Sequence, residues 1–275
     1  MWRRPHRLGA VNDQPIGIFD SGFGGLTVAR AIVDLLPGES ITYLGDTARA
    51  PYGPRPLAQV RDFTLQCLDH LLATGVKMLV IACNTSSSAA LRDARERYDV
   101  PIVEVILPAA GHAAAITRDG RVGVICTQAT ATSRSYNDAL AATPVTLTTA
   151  VCPRFVELVE QGITSGPEVL ELAAGYLEPL RAADIDTLIL GCTHYPLLSG
   201  AISYVMGDAV VLVSSADECA RATFAALTRR GLLRAGDTPP SLKFLTTGDP
   251  KRFEGLGRRL MGGFVQDVSQ VSIPL

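Results

Sequence analysis

The sequence predicts an α/β protein made of two pseudo-symmetric halves, each a parallel sheet with crossover helices, with the active site in the cleft between them. Three observations carry that expectation. Short β-branched runs alternate with longer amphipathic segments. Strand then helix, repeated, implies parallel pairing, and such sheets bind ligands at the carboxyl ends of their strands. Two stretches also recur. Ile16-Gly-Ile-Phe-Asp-Ser21 is echoed by Val122-Gly-Val-Ile-Cys-Thr127, and the apolar run ending at Cys83 by the one ending at Cys192, at offsets of 106 and 109 positions. Two matches at nearly one shift point to a duplication, which sets one cysteine on each side of the cleft.

In chain order, the buried strands are read at Ile16 to Phe19, Ile41 to Leu44, Met78 to Ala82, Ile102 to Val105, Val122 to Ile125, Thr187 to Leu190 and Val210 to Val213. Between the second and third, Leu57, Val60, Phe63, Thr64, Cys67, Leu68, Leu71 and Leu72 recur at three- and four-residue spacings, which predicts a helix over Leu57 to Ala73 with its stop at Gly75. Another helix is expected over Ala216 to Arg230. Beyond Val213 there is no further cysteine echo, so the C-terminal segment is assigned to the first half. The expected domains are 16–107 plus 215–275, and 108–214, with 1–15 as an extension that matches no motif.

A folded chain of 275 residues hides roughly three quarters of the surface it exposes unfolded, enough for a substantial core. With 47% hydrophobic residues, 19% charged and a formal charge of −2, it is neither disordered nor basic enough for nucleic acid to be expected as a direct partner. The apolar runs are strand-sized, far short of the roughly 20 residues that span a bilayer, so no membrane is expected. Met1 to Arg7 is basic, but Leu8 to Pro15 is broken by Gly9, Asn12, Asp13 and Gln14 and makes no signal-peptide core. Six cysteines without a C-x-x-C pair fit free thiols in a reducing cytoplasm. Of 25 basic residues only Lys77, Lys243 and Lys251 are lysines, and none falls in a candidate catalytic loop, which leaves Schiff-base chemistry without an obvious residue.

Cys83 and Cys192 each end a strand where a helix should begin, a place where backbone amides favour a thiolate and lower its pKa. Asn84, Thr85 and three serines follow the first, and Thr193 and His194 the second: donors able to hold a carboxylate. Cys67, Cys126, Cys152 and Cys219 read as small buried hydrophobes. Asp20-Ser-Gly-Phe-Gly-Gly25 resembles a phosphate loop but puts Thr27 where the third glycine belongs, and its Asp20 suits a ligand ammonium better than a phosphate. Asp46 closes the second strand ahead of the Pro51-Tyr-Gly-Pro54 turn, whose Tyr52 hydroxyl and Gly53 amide suit an anion. His6, His70 and His112 read as solvated or satisfied. Cys192 and His194 lack the paired spacing of a zinc motif, so no metal is expected. One activated thiol per face of a cleft is a device for removing a proton from one side of a carbon and delivering one to the other, which is racemisation.

The same residues carry a resemblance. Asp20 to Gly25, Gly45-Asp46 with Pro51-Tyr-Gly53, Ala82-Cys-Asn-Thr85, Val122 to Thr130, Cys152-Pro with Glu160, Gly191-Cys-Thr-His-Tyr-Pro196 and Thr247-Gly-Asp249 are similar, in order and over nearly the whole chain, to the glutamate racemases. The resemblance implies a catalytic pair in Cys83 and Cys192, with Asp20, Ser21, Tyr52, Gly53, Asn84, Thr85, Thr193 and His194 on the substrate. It implies that Asp20 and His194 assist the thiols and that Thr127, Thr130 and Glu160 lie near the pocket. It further implies no cofactor, a homodimer, and D-glutamate made for peptidoglycan in the cytoplasm; DNA gyrase enters as a partner through the resemblance alone. Aspartate racemase, hydantoin racemase and maleate-type isomerases share the wider fold group. The Pro51-Tyr-Gly53 and Cys192 to Tyr195 segments look like the glutamate enzymes instead. A non-enzymatic amino-acid-binding module would tolerate loss of either thiol.

Overall fold

The computed structural model describes residues 12–236 and 238–273, so His6 and most of the expected extension lie outside the described residues. Strands β1 (Ile16–Asp20), β2 (Ile41–Gly45), β3 (Met78–Ile81) and β4 (Ile102–Glu104) alternate with helices α1 (Leu26–Leu35), α2 (Leu57–Ala73) and α3 (Asn84–Arg97). Helix α4 (Ile106–Ile116) crosses to a second set. This comprises β5 (Arg121–Cys126), α5 (Gln128–Ser133), α6 (Ser135–Leu140), β6 (Thr146–Val151), α7 (Arg154–Gln161), α8 (Pro167–Ala182), β7 (Thr187–Gly191), α9 (Ser199–Met206) and β8 (Val211–Ser214). Helix α10 (Ser215–Arg230) leads back to β9 (Leu242–Thr246), α11 (Pro250–Met261) and the short β10 (Ser269–Gln270).

All pairings are parallel and fall into two sheets, β10-β9-β2-β1-β3-β4 and β6-β5-β7-β8. Sequence echo becomes spatial correspondence here. The order β2-β1-β3-β4 repeats as β6-β5-β7-β8, and the echoed strands β1 and β5 occupy equivalent places, each between its two successors. The C-terminal strand β9 pairs with β2, in the register Ile41 to Leu242.

The seven apolar strands lie where the sequence puts them, within a residue or two; a parallel strand covered on both faces must be apolar throughout, and β8 is apolar even at its sheet edge. β1, β2, β3 and β7 are fully buried. Three strands escape that reading. β6 carries Thr146, Thr148 and Thr149 on a sheet edge, β9 carries the exposed Leu242 and Lys243, and β10 has two residues. The helix over Leu57 to Ala73 is as expected, and α10 begins one residue earlier, at Ser215, capped by Ser214 Oγ on the Asp217 amide.

Away from the carboxyl ends, Lys77 anchors β3. Its ammonium is buried 2.6 Å from Glu39, close without the alignment of a hydrogen bond, and donates to the carbonyls of Asn12 and Leu232. Burial lowers the Lys77 pKa while Glu39 holds it up. Replacing Lys77 by Met leaves Glu39 buried without its counter-charge. Chemical denaturation of Lys77→Met should show a loss of about 3–5 kcal/mol, as for other broken buried pairs.

Candidate active site

The carboxyl ends of the central strands of both sheets meet at one cavity of about 250 Å³. Cys83, just after β3, lines it from one side and Cys192, just after β7, from the other. Ser21, Tyr52, Gly53, Asn84 and Thr85 come from the first half, and Thr127, Glu160, Thr193 and His194 from the second. Two expected residues stand behind this lining. Asp20 is buried at the end of β1 with Oδ2 accepting from the Gly22 amide at 2.8 Å, and Thr130 is buried 3.4 Å from the Thr85 hydroxyl and 3.1 Å from that of Thr127. A wall missed by sequence reasoning is Pro153, Val156 and Glu157, at the start of α7. A helix face bordering a cavity looks, in sequence, like any other amphipathic face.

Cys83 is the N-cap of α3: its Sγ accepts from the Ser86 amide at 3.4 Å and lies 3.4 Å from the Ser21 hydroxyl. Cys192 departs from the expectation. It is succeeded by a turn and a short 3₁₀ segment, Tyr195–Leu198, in place of the expected α-helix. Its Sγ instead lies 3.8 Å from His194 Nδ1, and His194 Nε2 lies 3.3 Å from Glu160.

The expected lowering of the thiol pKa values is also corrected. Burial pushes Cys83 above its ordinary value of 9.0, with Asp20 adding to the rise and the Ser21 and Ser86 hydrogen bonds opposing it. Burial pushes Cys192 up strongly, against the His194 amide and with Cys83 adding to the rise. Amide hydrogen bonds are present at both thiols, but desolvation outweighs them. Burial likewise raises the Asp20 carboxyl, partly offset by His194 and the Gly22 and Gly25 amides.

Asp46 and Tyr52 correct a further expectation. The Tyr52 hydroxyl donates to Asp46, which also accepts from Arg49 Nε at 2.6 Å and from Thr247 at 2.7 Å. The hydroxyl proton is therefore committed inside the protein, and the ring packs beside Phe19 and Phe63. Asp46 ties this turn to the loop after β9, which gives the Thr247-Gly-Asp249 motif a structural task.

The glycines of the first loop serve packing rather than phosphate. A Cβ on Gly24 would lie 2.4 Å from both His194 Nδ1 and Thr193 Oγ1, and one on Gly25 2.4 Å from Asp20 Cβ. The Thr27 hydroxyl bridges the same contact, its one proton within reach of the carbonyls of Gly24 (2.8 Å) and Thr193 (2.9 Å). His70 lies on α2, and His112, on α4, sits 3.8 Å from Glu218. Among the described residues no lysine lines the cavity, and no group of three or more His, Cys, Asp or Glu side chains has metal-site geometry.

Two parallel-sheet halves that close one small cavity with a thiol from each define a two-lobed class of α/β protein. The comparisons with known proteins are specific. The family model described as Asp/Glu/Hydantoin racemase matches residues 16–223, and the chain belongs to that family. A glutamate racemase of Parafrankia sp. is 62% identical over 261 residues, 94% of this chain and 95% of that protein. The crystal structure of a glutamate racemase isoform from Bacillus anthracis superposes with a TM-score of 0.90 at 39% identity, covering 96% of this chain and 98% of its own. That of the Francisella tularensis glutamate racemase, in complex with D-glutamate, gives 0.89 at 32% identity, covering 95% and 98%.

This geometry has two measurable consequences. In Gly24→Ala the new methyl must displace the Thr193–His194 turn; a shift of about 1 Å at a reacting group costs up to roughly 10²-fold, so kcat/KM should fall by one to two orders of magnitude while circular dichroism stays native. Because burial holds both thiols protonated, alkylation of the unliganded protein by iodoacetamide should be slow at neutral pH and still climb above pH 9, read by mass spectrometry at Cys83 and Cys192.

Proposed function

We propose that this protein interconverts L- and D-glutamate by cofactor-independent proton transfer between two thiols, supplying D-glutamate for peptidoglycan in the cytoplasm. The observation that carries the reading is the convergence of Cys83 and Cys192, from equivalent places in the two sheets, on one cavity. The substrate follows the relatives, whose shared name is glutamate racemase, and the complex of one of them with D-glutamate.

Inversion needs a base on one face of the α-carbon and an acid on the other. In this reading the thiolate of one cysteine takes the α-proton and the thiol of the other returns a proton to the opposite face. Reversing the reaction exchanges their roles. Burial alone makes a thiolate here costly, and the bound amino acid relieves that cost by bringing its ammonium into the cavity. His194, 3.8 Å from Cys192 and backed by Glu160, and Asp20, buried near Cys83 and His194, are the assisting groups. Ser21, Gly53, Asn84, Thr85 and Thr193 hold the substrate, with the ring of Tyr52 as a wall, and Thr127 and Thr130 fix Thr85 through their hydroxyls. The same reading divides the chain into domains 16–107 plus 215–275 and 108–214, supported by sheet membership, and includes a homodimer, which sedimentation tests.

Circular dichroism of either enantiomer incubated with the pure protein should decay to zero, in the presence of a chelator and of a carbonyl-trapping reagent alike. In deuterium oxide the product enantiomer should carry solvent deuterium at the α-carbon. Cys83→Ala and Cys192→Ala should each lose at least roughly 10²- to 10⁴-fold in racemisation while remaining folded. Turnover of aspartate with none of glutamate would reassign the substrate, and near wild-type racemisation by either variant would refute the two-thiol mechanism.

A further inference from the structure

One aromatic side chain touches the neighbours of both thiols. Tyr136, on α6, is 3% exposed and belongs to none of the motifs noted in the sequence. Its hydroxyl accepts a hydrogen bond from Asn84 Nδ2 at 2.8 Å, and Asn84 directly follows Cys83. Its ring edge lies against the backbone that leads into Cys192, since a Cβ on Gly191 would come within 3.1 Å of Tyr136 Cε2. Arg134, at a φ of 57°, breaks the chain between α5 and α6 just before this residue. A non-glycine residue in the left-handed region is a local cost that the surrounding structure must hold in place.

Asn84 is itself buried, lines the cavity, and its Oδ1 has no hydrogen-bond partner among the described residues. A carboxamide fixed at its nitrogen end is directional: the oxygen is the end left for a ligand's donor. Burial pushes the phenol of Tyr136 far above its ordinary pKa, so the hydroxyl stays protonated and serves as a hydrogen-bonding group and not as a base.

We propose that Tyr136 is a positioning residue: it holds the Asn84 carboxamide with Oδ1 presented to a donor of the substrate, and it braces Gly191, so that one side chain sets the relation between the two thiol-bearing loops. The inference rests on the racemase reading and adds to it a residue that contacts neither substrate nor thiol.

The test is a double-mutant cycle on the full-length protein, with D- and L-glutamate as substrates. Tyr136→Phe keeps the ring and removes the hydroxyl. Loss of one neutral hydrogen bond to a binding group should raise KM for both enantiomers about five- to tenfold and leave kcat within about twofold. Asn84→Ala should raise KM at least as much, and the double variant should be no worse than Asn84→Ala alone. Tyr136→Leu, which also withdraws the ring from Gly191, should lower kcat as well. A residue that merely fills the core would lower Tm in Tyr136→Phe without moving KM, or would add to Asn84→Ala, and either result overturns the proposal. Should Tyr136→Phe fail to fold, the wild-type protein decides: the Asn84 side-chain amide, assigned in nitrogen-15 spectra by its loss in Asn84→Ala, should exchange slowly with solvent, and exchange as fast as an exposed asparagine overturns the proposal. An active wild-type enzyme with an unmoved KM in Tyr136→Phe refutes this inference alone, whereas a wild-type protein inert towards glutamate removes the racemase reading and this role together.

Discussion

Gly24 of the first half lies so near the Thr193–His194 turn of the second that a single β-carbon would overlap both side chains. Much of the site depends on this approach. It brings the loop after β1 against the loop after β7, puts the Thr27 hydroxyl within reach of the Gly24 and Thr193 carbonyls, and sets His194 between Cys192 and Glu160. Glycine recurs where backbones are pressed together. A Cβ on Gly191 would fall 2.7 Å from the Ile125 carbonyl, and one on Gly45 2.5 Å from that of Gly22. Residues at strand ends are therefore chosen for what they leave out, which allows the side chains beside them to converge.

Burial is the second organising force, and it acts against the chemistry. A thiol removed from water holds its proton more tightly, and the neighbouring Asp20 and the opposite cysteine each strengthen that hold. The hydrogen bonds around Cys83 and the His194 backbone amide at Cys192 work the other way. In the proposed reaction a thiolate forms only once the ammonium of the amino acid has entered the cavity.

The legibility of each feature in the sequence depended on how strongly physics forces it. Buried parallel strands must be apolar throughout, so the central ones are legible, and β4 and β8 are legible at sheet edges because they stay mostly apolar, whereas the threonine-rich β6 and the lysine-bearing β9 use the latitude an edge or near-edge place allows. The two thiols were visible because a cysteine at a strand end followed by a run of hydrogen-bonding residues is rarely needed for packing. The direction of their pKa shifts was not, since it depends on how closely the other half seals the cavity. Tyr52 misled for a related reason: its hydroxyl looked available until the fold set Asp46 against it. Tyr136 and the α7 wall were hidden because nothing in an isolated helix says which face a distant loop will meet.

The repeated strand order β2-β1-β3-β4 and β6-β5-β7-β8 gives the molecule an approximate two-fold relation whose two sides are not identical in detail. Serine and an amide attend one thiol and histidine the other. Mirror-image substrates have the same free energy in water, so a catalyst that interconverts them works on a level reaction and cannot favour either product at equilibrium. The bound states are free to differ, because in the proposed reaction each enantiomer is held against a different thiol. Inequality between the two sides therefore changes kcat and KM by the same factor between the two directions, while kcat/KM stays equal. The level ground belongs to the substrates, and in the proposed reaction the mismatched neighbours of Cys83 and Cys192 set which bound enantiomer the protein favours.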